Sequence, residues 1–284
     1  VGRRGKDRDR ERKGYFIYHA VGTQDAVKSQ SIAMAEEMLE RSDVFTPEHY
    51  VFYQKDGGYH DFDAVQEYLY NALPLFFRDS EEPLVISDVE QAAAYTKDTR
   101  ISDVQSDPAF GDYGRLLFPV NSGYMSGDTL GSLRLTWYNN IDPDMTVEIC
   151  NYMRDHAETG DTIFYDIYTE EEKKADPAKR DTGLFFFKGD PDAKFAVVNA
   201  GGGFAYVGAM HDSFPHALEL SNMGYNAFAL IYRPGAQTAC EDLSRAIAFI
   251  FEHADELEVD TADYSRWGGS AGGRMSDWVG TYGT

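Results

Sequence analysis

The sequence predicts an α/β protein in which a mostly parallel sheet is covered by helices in three layers. Three observations carry this expectation. Strand-like and helix-like stretches alternate over residues 15–77 and again over 146–284. The stretches "AKFAVVNA" (193–200) and "YNAFALIYRPG" (225–235) are almost continuously apolar, as strands covered on both faces must be. Each is followed by a run with helical spacing, the crossover that parallel strands require.

In chain order, "YFIYHAVGTQD" (15–25) is β-branched and aromatic until Gly22 breaks it, so it reads as a buried strand ending in a turn. Residues 26–42 have helical periodicity, with Ile32, Ala35, Met38 and Leu39 expected on one face. "HYVFYQK" (49–55) is a second strand, "DGGYHDF" (56–62) a turn, and residues 63–77 an amphipathic helix with Pro74 near its end. Residues 78–145 differ: "RDSEEP" is a charged link, and "DPAFGDYG", "VNSGYMSGDTLGS" and "NNIDPD" are turn-rich around short aromatic strands such as "LRLTWY". From 146 the rhythm returns. A helix at 146–160 closes at Gly160, and two strands at 162–168 and 182–189 are expected to run antiparallel. After the strand at 193–200 come a glycine loop and a helix at 212–224 with Asp212 as its candidate cap. The strand at 225–235, a strongly periodic helix at 240–257, and "DYSRWGGS" complete the series. Three segments are therefore expected: 1–78, a linker with extension at 79–145, and 146–284.

The chain has 284 residues, 48 of them acidic and 26 basic, for a net charge of −22. Such a surface repels nucleic acid and anionic membranes. The lead at 1–13, "VGRRGKDRDRERK", is basic, but its charges alternate in sign, as in a solvated linker. Cys150 and Cys240 are the only cysteines, too few for a disulfide framework or a zinc site. No apolar run has the length of a membrane span. The chain begins with Val and shows no signal peptide, so localisation stays open, with the cytoplasm as default.

Two motifs carry chemistry. Gly268-Gly269-Ser270-Ala271-Gly272 fits G-x-S-x-G between a predicted strand and a predicted helix. In a nucleophile elbow this turn is strained, lifts the serine hydroxyl, and needs small residues two before and two after it. An ordinary strand–helix turn is the plainer reading. Asn199-Ala200-Gly201-Gly202-Gly203-Phe204 directly follows a buried strand. Consecutive glycines let backbone N–H groups face an oxyanion. A tight turn remains open, and a phosphate loop lacks its Gly-Lys-Ser/Thr tail.

With "NAGGGF", "YRPG" and "WGGSAGG" in this order, residues 101–284 resemble the N-terminal half of a bacterial α/β-hydrolase of the esterase/lipase kind. The resemblance implies Ser270 as nucleophile and the N–H groups of Gly202, Gly203 and Ala271 as the oxyanion hole. Many relatives have His where this chain has Ala200, which leaves the substrate subclass open. Only 14 residues follow Ser270, and they contain Asp277 but no His. Residues 15–77, through Gly22-Thr23-Gln24-Asp25 and Gly57-Gly58-Tyr59-His60-Asp61-Phe62, resemble the C-terminal part of a feruloyl/acetyl-xylan-type carbohydrate esterase. That resemblance implies Asp25 as triad acid and His60 as base. Both follow predicted strands, where α/β ligand sites lie. A turn or cap role for Asp25 and a solvated role for His60 are the alternatives. Among the other histidines, His211 follows the glycine loop, as a pocket residue or a helix entry.

The acid and base thus precede the serine. Either the chain is a slice through two neighbouring hydrolases, the favoured expectation, or the two parts make one permuted hydrolase. The sheet is accordingly expected to be incomplete or built from two partial hydrolase units. The expected activity is serine ester hydrolysis through an acyl-enzyme, on acetyl or feruloyl esters of plant polysaccharide, with no metal or organic cofactor implied. A peptidase on the same fold and a catalytically incomplete fragment or binding module are the alternatives.

Overall fold

The computed structural model describes residues 17–40, 50–61, 64–65, 67–69, 71–72, 95–119, 123–135 and 141–283. The basic lead at 1–13, the charged link at 78–83, the end of the helix expected at 63–77 and the second half of "LRLTWY" lie outside the described residues. Val1–Glu81 with Ala262–Ser265 form one compact unit, and Glu82–Thr261 with Arg266–Thr284 form the other.

In the first unit, β1 (Ile17–Gly22) and β2 (Tyr50–Lys55) pair in parallel, from Ile17 opposite Tyr50 to Gly22 opposite Lys55. The connection between them contains α1 (Lys28–Glu40), as expected of a parallel pair. Ala35 and Met38 bury with Ile17 and Tyr50, and Met34 and Phe52 pack against them. Leu39, expected on this face, is 52% exposed. One residue is about 100° of helical rotation, so burying Met38 turns Leu39 outward. His19 is buried on β1, its Nδ1 3.0 Å from the Tyr50 hydroxyl and its ring edge-on to Phe52. Burial pushes the imidazole down to about 4.

The second unit contains a small antiparallel pair, β3 (Met125–Ser126) with β4 (Arg134–Leu135). It then has α2 (Pro143–Thr159), β5 (Phe164–Tyr165), β6 (Gly183–Phe187), β7 (Ala193–Asn199), α3 (Ser213–Asn222) and β8 (Asn226–Ile231). The chain continues through α4 (Ala236–Glu252), β9 (Val259–Gly268) and α5 (Ala271–Tyr282). The sheet order is β5-β6-β8-β7-β9. β7 and β8 are parallel, and β5 and β6 add the expected antiparallel edge. Every residue of β6 and β8 is buried, with Phe186 stacked on Phe228 at 4.4 Å. α3 lies against β6, β7 and β8 and against α2, while α5 lies against β7 and α4. The α/β class with interleaved strands and helices is therefore as the sequence predicts. Among the described residues no helix is long and apolar enough to cross a membrane.

Several element boundaries differ from expectation, among them the starts of α2, α4 and β9. α2 starts at Pro143, inside a stretch read as a turn, because Asp142 caps it by accepting from the N–H groups of Asp144 and Met145. α4 starts at Ala236, earlier than 240, since Gly235 at φ 108° turns the chain directly into it. β9 starts at Val259, well before the aromatic stretch that announced it.

Candidate active site

Both chemical motifs lie at strand ends. β7 leaves the sheet at Asn199 into the glycine loop, and β9 ends at Gly268, from which the chain turns into α5. Ser270 sits in that turn at φ 51° and ψ −117°, a conformation an L-residue rarely adopts. Its side chain is exposed. Gly268 and Gly272 are small for a steric reason. A Cβ on Gly268 would strike the Gly272 carbonyl, and a Cβ on Gly272 would strike the carbonyl oxygens of Asn199 and Ala200.

The strand carrying the glycine loop is pinned to the elbow. Buried Asn199 donates from Nδ2 to the Trp267 carbonyl at 3.2 Å and to Ser276 Oγ at 3.0 Å. Ser276 in turn donates to the Gly272 carbonyl at 2.8 Å. Gly201 faces the elbow so closely that a Cβ there would lie 3.1 Å from Ser270 Cβ. Ser276 carries no motif; Asn199 opens the glycine-loop motif and, ending an otherwise apolar strand, is a buried polar group needing partners.

The polar groups of the loop are mostly committed. The Ala200 carbonyl accepts from the Tyr232 hydroxyl at 2.7 Å, and the Gly201 carbonyl from Gly208 N–H at 2.9 Å. The Gly202 carbonyl accepts from Ala205 and Tyr206. Gly201 N–H donates to Asp212 Oδ2 at 2.6 Å. On the elbow, Gly272 and Gly273 N–H both donate to the Gly269 carbonyl. The N–H groups of Gly202, Gly203 and Ala271 have no acceptor among the described residues. Gly202 at φ 142° and Gly203 at φ 62° use backbone regions open to glycine.

Asp212 occupies the N-cap position of α3 but makes no capping bond, contrary to its sequence reading. Its carboxylate is turned to Gly201 instead. His216, one turn along α3, faces Asp212 Oδ1 at 3.6 Å, and burial pushes its imidazole down. His211 ends a short 3-10 turn, Ala209–His211, with its ring against Gly208. Asp277 is buried in α5, where desolvation pushes its carboxyl up to about 7 against the pull of Arg266.

In the first unit, the loops after β1 and β2 are laced together. Thr23 N–H donates to the Lys55 carbonyl and Gln24 N–H to the Gly58 carbonyl, both at 2.9 Å. Gly22 lies so close to Gly58 that a Cβ there would strike its carbonyl. This lacing brings Asp25 and His60 together, with His60 Nδ1 at 3.0 and 2.9 Å from the two Asp25 carboxylate oxygens. Asp25 Oδ1 also accepts from Val27 N–H at 2.8 Å, which fixes the carboxylate on the turn into α1. A carboxylate only accepts, so Nδ1 carries the proton in this contact. The Asp25 side chain is nearly buried and that of His60 about one-third exposed.

Among solved structures, esterase 2 of Thermogutta terrifontis is 26% identical, with 34% of this chain and 39% of that one covered and a TM-score of 0.32. An acetyl ester-xyloside bifunctional hydrolase from Caldicellulosiruptor lactoaceticus is 25% identical, with 42% and 46% covered and a TM-score of 0.38. The chain thus spans less than half the length of these solved structures. No curated protein sequence matches it. The glycine loop and the elbow both fall within residues 188–284, and that segment of the chain matches the family model described as BD-FAE, an α/β-hydrolase-like esterase domain.

Proposed function

We propose that the chain carries the machinery of a serine carboxylester hydrolase working through an acyl-enzyme. The observation that carries this is Ser270, held at φ 51° with its side chain exposed, where the N–H groups of Gly202 and Gly203 on the loop and of Ala271 on the elbow have no acceptor among the described residues. Ser270 Oγ attacks the ester carbonyl and loses its proton to a general base. The carbonyl oxygen takes the negative charge and receives the N–H donors, which need no reorganisation as charge develops. The tetrahedral adduct collapses, the base returns the proton to the departing alcohol, and water repeats the sequence on the acyl-enzyme. His60, or its equivalent in the reading of two neighbouring hydrolases, is proposed as that base. Asp25 orients its ring and stabilises the imidazolium, with Nε2 receiving the proton. Acetyl or feruloyl esters of plant polysaccharide are the proposed substrates, on the likeness of the Gly-Thr-x-Asp and Gly-Gly-x-His-Asp-Phe stretches to carbohydrate esterases.

The test is labelling by a fluorophosphonate probe together with hydrolysis of p-nitrophenyl acetate. The wild-type chain is expected to label and to turn over, and Ser270→Ala to do neither. His60→Ala is expected to lose turnover by about 10³-fold or more. An unlabelled wild-type chain refutes the nucleophile. Full turnover in His60→Ala removes His60 as the base and leaves Ser270 standing.

A further inference from the structure

We infer that Asp212 is a positioning residue for this chemistry: its carboxylate holds the Gly201–Gly203 loop in the conformation that offers the Gly202 and Gly203 N–H groups to an oxyanion. This rests on the reading of Ser270 as nucleophile. Three observations converge. The 2.6 Å bond from Gly201 N–H to Asp212 Oδ2 is short, as charge-assisted bonds are. The same oxygen lies against the elbow, since a Cβ on Gly269 would sit 2.9 Å from it. And Asp212 gives up the N-cap bond that its position on α3 would allow.

A carboxylate this close to a developing oxyanion opposes it unless its own charge is engaged. Here Oδ2 takes the Gly201 N–H and Oδ1 faces the His216 ring. Fixing Gly201 N–H toward Asp212 sets the Ala200–Gly201 peptide plane. The Gly201 carbonyl is fixed on its other side by Gly208 N–H. With both polar groups of Gly201 held, the next two N–H groups point where no acceptor among the described residues meets them. Without the carboxylate, three consecutive glycines have the freedom to turn those donors elsewhere. One carboxylate therefore touches both halves of the site, the loop through a hydrogen bond and the elbow through van der Waals contact.

The experiment uses the full chain with Asp212→Ala and Asp212→Asn. Asparagine keeps an acceptor oxygen for Gly201 N–H, and alanine does not. Asp212→Ala is expected to lower kcat on p-nitrophenyl acetate by about 10²-fold, the order of one lost oxyanion donor. KM should change little, because the donors act on the transition state. Fluorophosphonate labelling should slow in parallel, and Asp212→Asn should recover most of both. Circular dichroism identifies a variant that fails to fold, and the asparagine variant then decides. In glycine-selective NMR spectra the Gly201 amide should lose its downfield shift in Asp212→Ala, and Gly202 and Gly203 should move with it. A folded Asp212→Ala with wild-type kcat and unmoved Gly202 and Gly203 amides overturns the inference, as do equal losses in the two variants. If the wild-type chain is not labelled at all, the reading of Ser270 fails, and the amide shifts alone decide whether Asp212 holds the loop.

Discussion

Removing the Asp242 carboxylate should destabilise the second unit more than any substitution on its surface. Asp242 on α4 is fully buried and accepts from Arg233 Nε at 3.1 and 3.2 Å, from a terminal nitrogen of that guanidinium at 2.7 Å, and from Arg233 N–H at 2.8 Å. The Tyr168 hydroxyl donates to it at 2.7 Å. The Arg233 side chain is only 8% exposed, and its other partner, Asp176, is about half exposed at 2.7 Å. In Asp242→Ala the guanidinium stays buried with the weaker partner alone. Losing one member of a buried pair costs about 3–5 kcal/mol. The orphaned Tyr168 hydroxyl and Arg233 N–H add about 1 kcal/mol each at the low end for unsatisfied buried donors, which water entering beside Asp176 partly offsets. A net loss of about 4 kcal/mol is expected. Arg233→Met combined with Asp242→Leu removes both charges and should recover most of it, since a buried pair replaced by apolar groups is often neutral. Urea unfolding followed by tryptophan fluorescence, with Arg233→Met, Asp242→Leu and their double variant in one cycle, measures the coupling. A loss below about 1 kcal/mol in Asp242→Ala, or a double variant as poor as the sum of the singles, refutes the reasoning.

Three further substitutions test the packing that shapes the site and the acid limit of the fold. Gly272→Ala drives a Cβ into backbone carbonyls that cannot swing aside; it should cost about 3 kcal/mol in a thermal melt and slow probe labelling. Gly203→Ala meets open space and is strained only by its φ of 62°, so about 1 kcal/mol is expected. Equal costs in the two would contradict the close approach. His19, with its folded pKa depressed to about 4 from 6.5, binds fewer protons folded than unfolded between those values. Stability should therefore fall as pH drops from about 6.5 to about 4, by up to about 3 kcal/mol. His19→Phe should flatten that limb in circular-dichroism melts, and an unchanged slope sinks the assignment.

Much of the site was legible because its requirements are steric and local. Gly268, Gly272 and the glycine run at 201–203 report close approaches and unusual φ values, which few residues other than glycine satisfy. The continuous apolar runs of β7 and β8 report burial on both faces in the same direct way. What stayed hidden depends on tertiary choice. Asp212 has the identity of a cap, and nothing in its neighbours says that its carboxylate turns instead to an N–H eleven residues earlier. Asp142-Pro143 suits a turn as well as a helix start, and the cap bonds decide it. Leu39 fits the apolar spacing of α1, but Met38 took the inward position. Asp25 and His60 were legible as a pair only through their two loops, whose lacing across β1 and β2 requires the parallel register.

Ser270 also has a meaning for how such a chain changes over generations. Its backbone stores strain of roughly 1–3 kcal/mol that a glycine would not. Part of that gain returns as the greater flexibility of an unfolded glycine. The balance still leaves the serine as the less stable choice at its own position. On the proposed reading of Ser270 as nucleophile, selection for turnover has to hold it there against a steady thermodynamic bias. A lineage released from that selection would gain stability by the exchange to glycine, so a decayed descendant should carry glycine at 270 sooner than alanine.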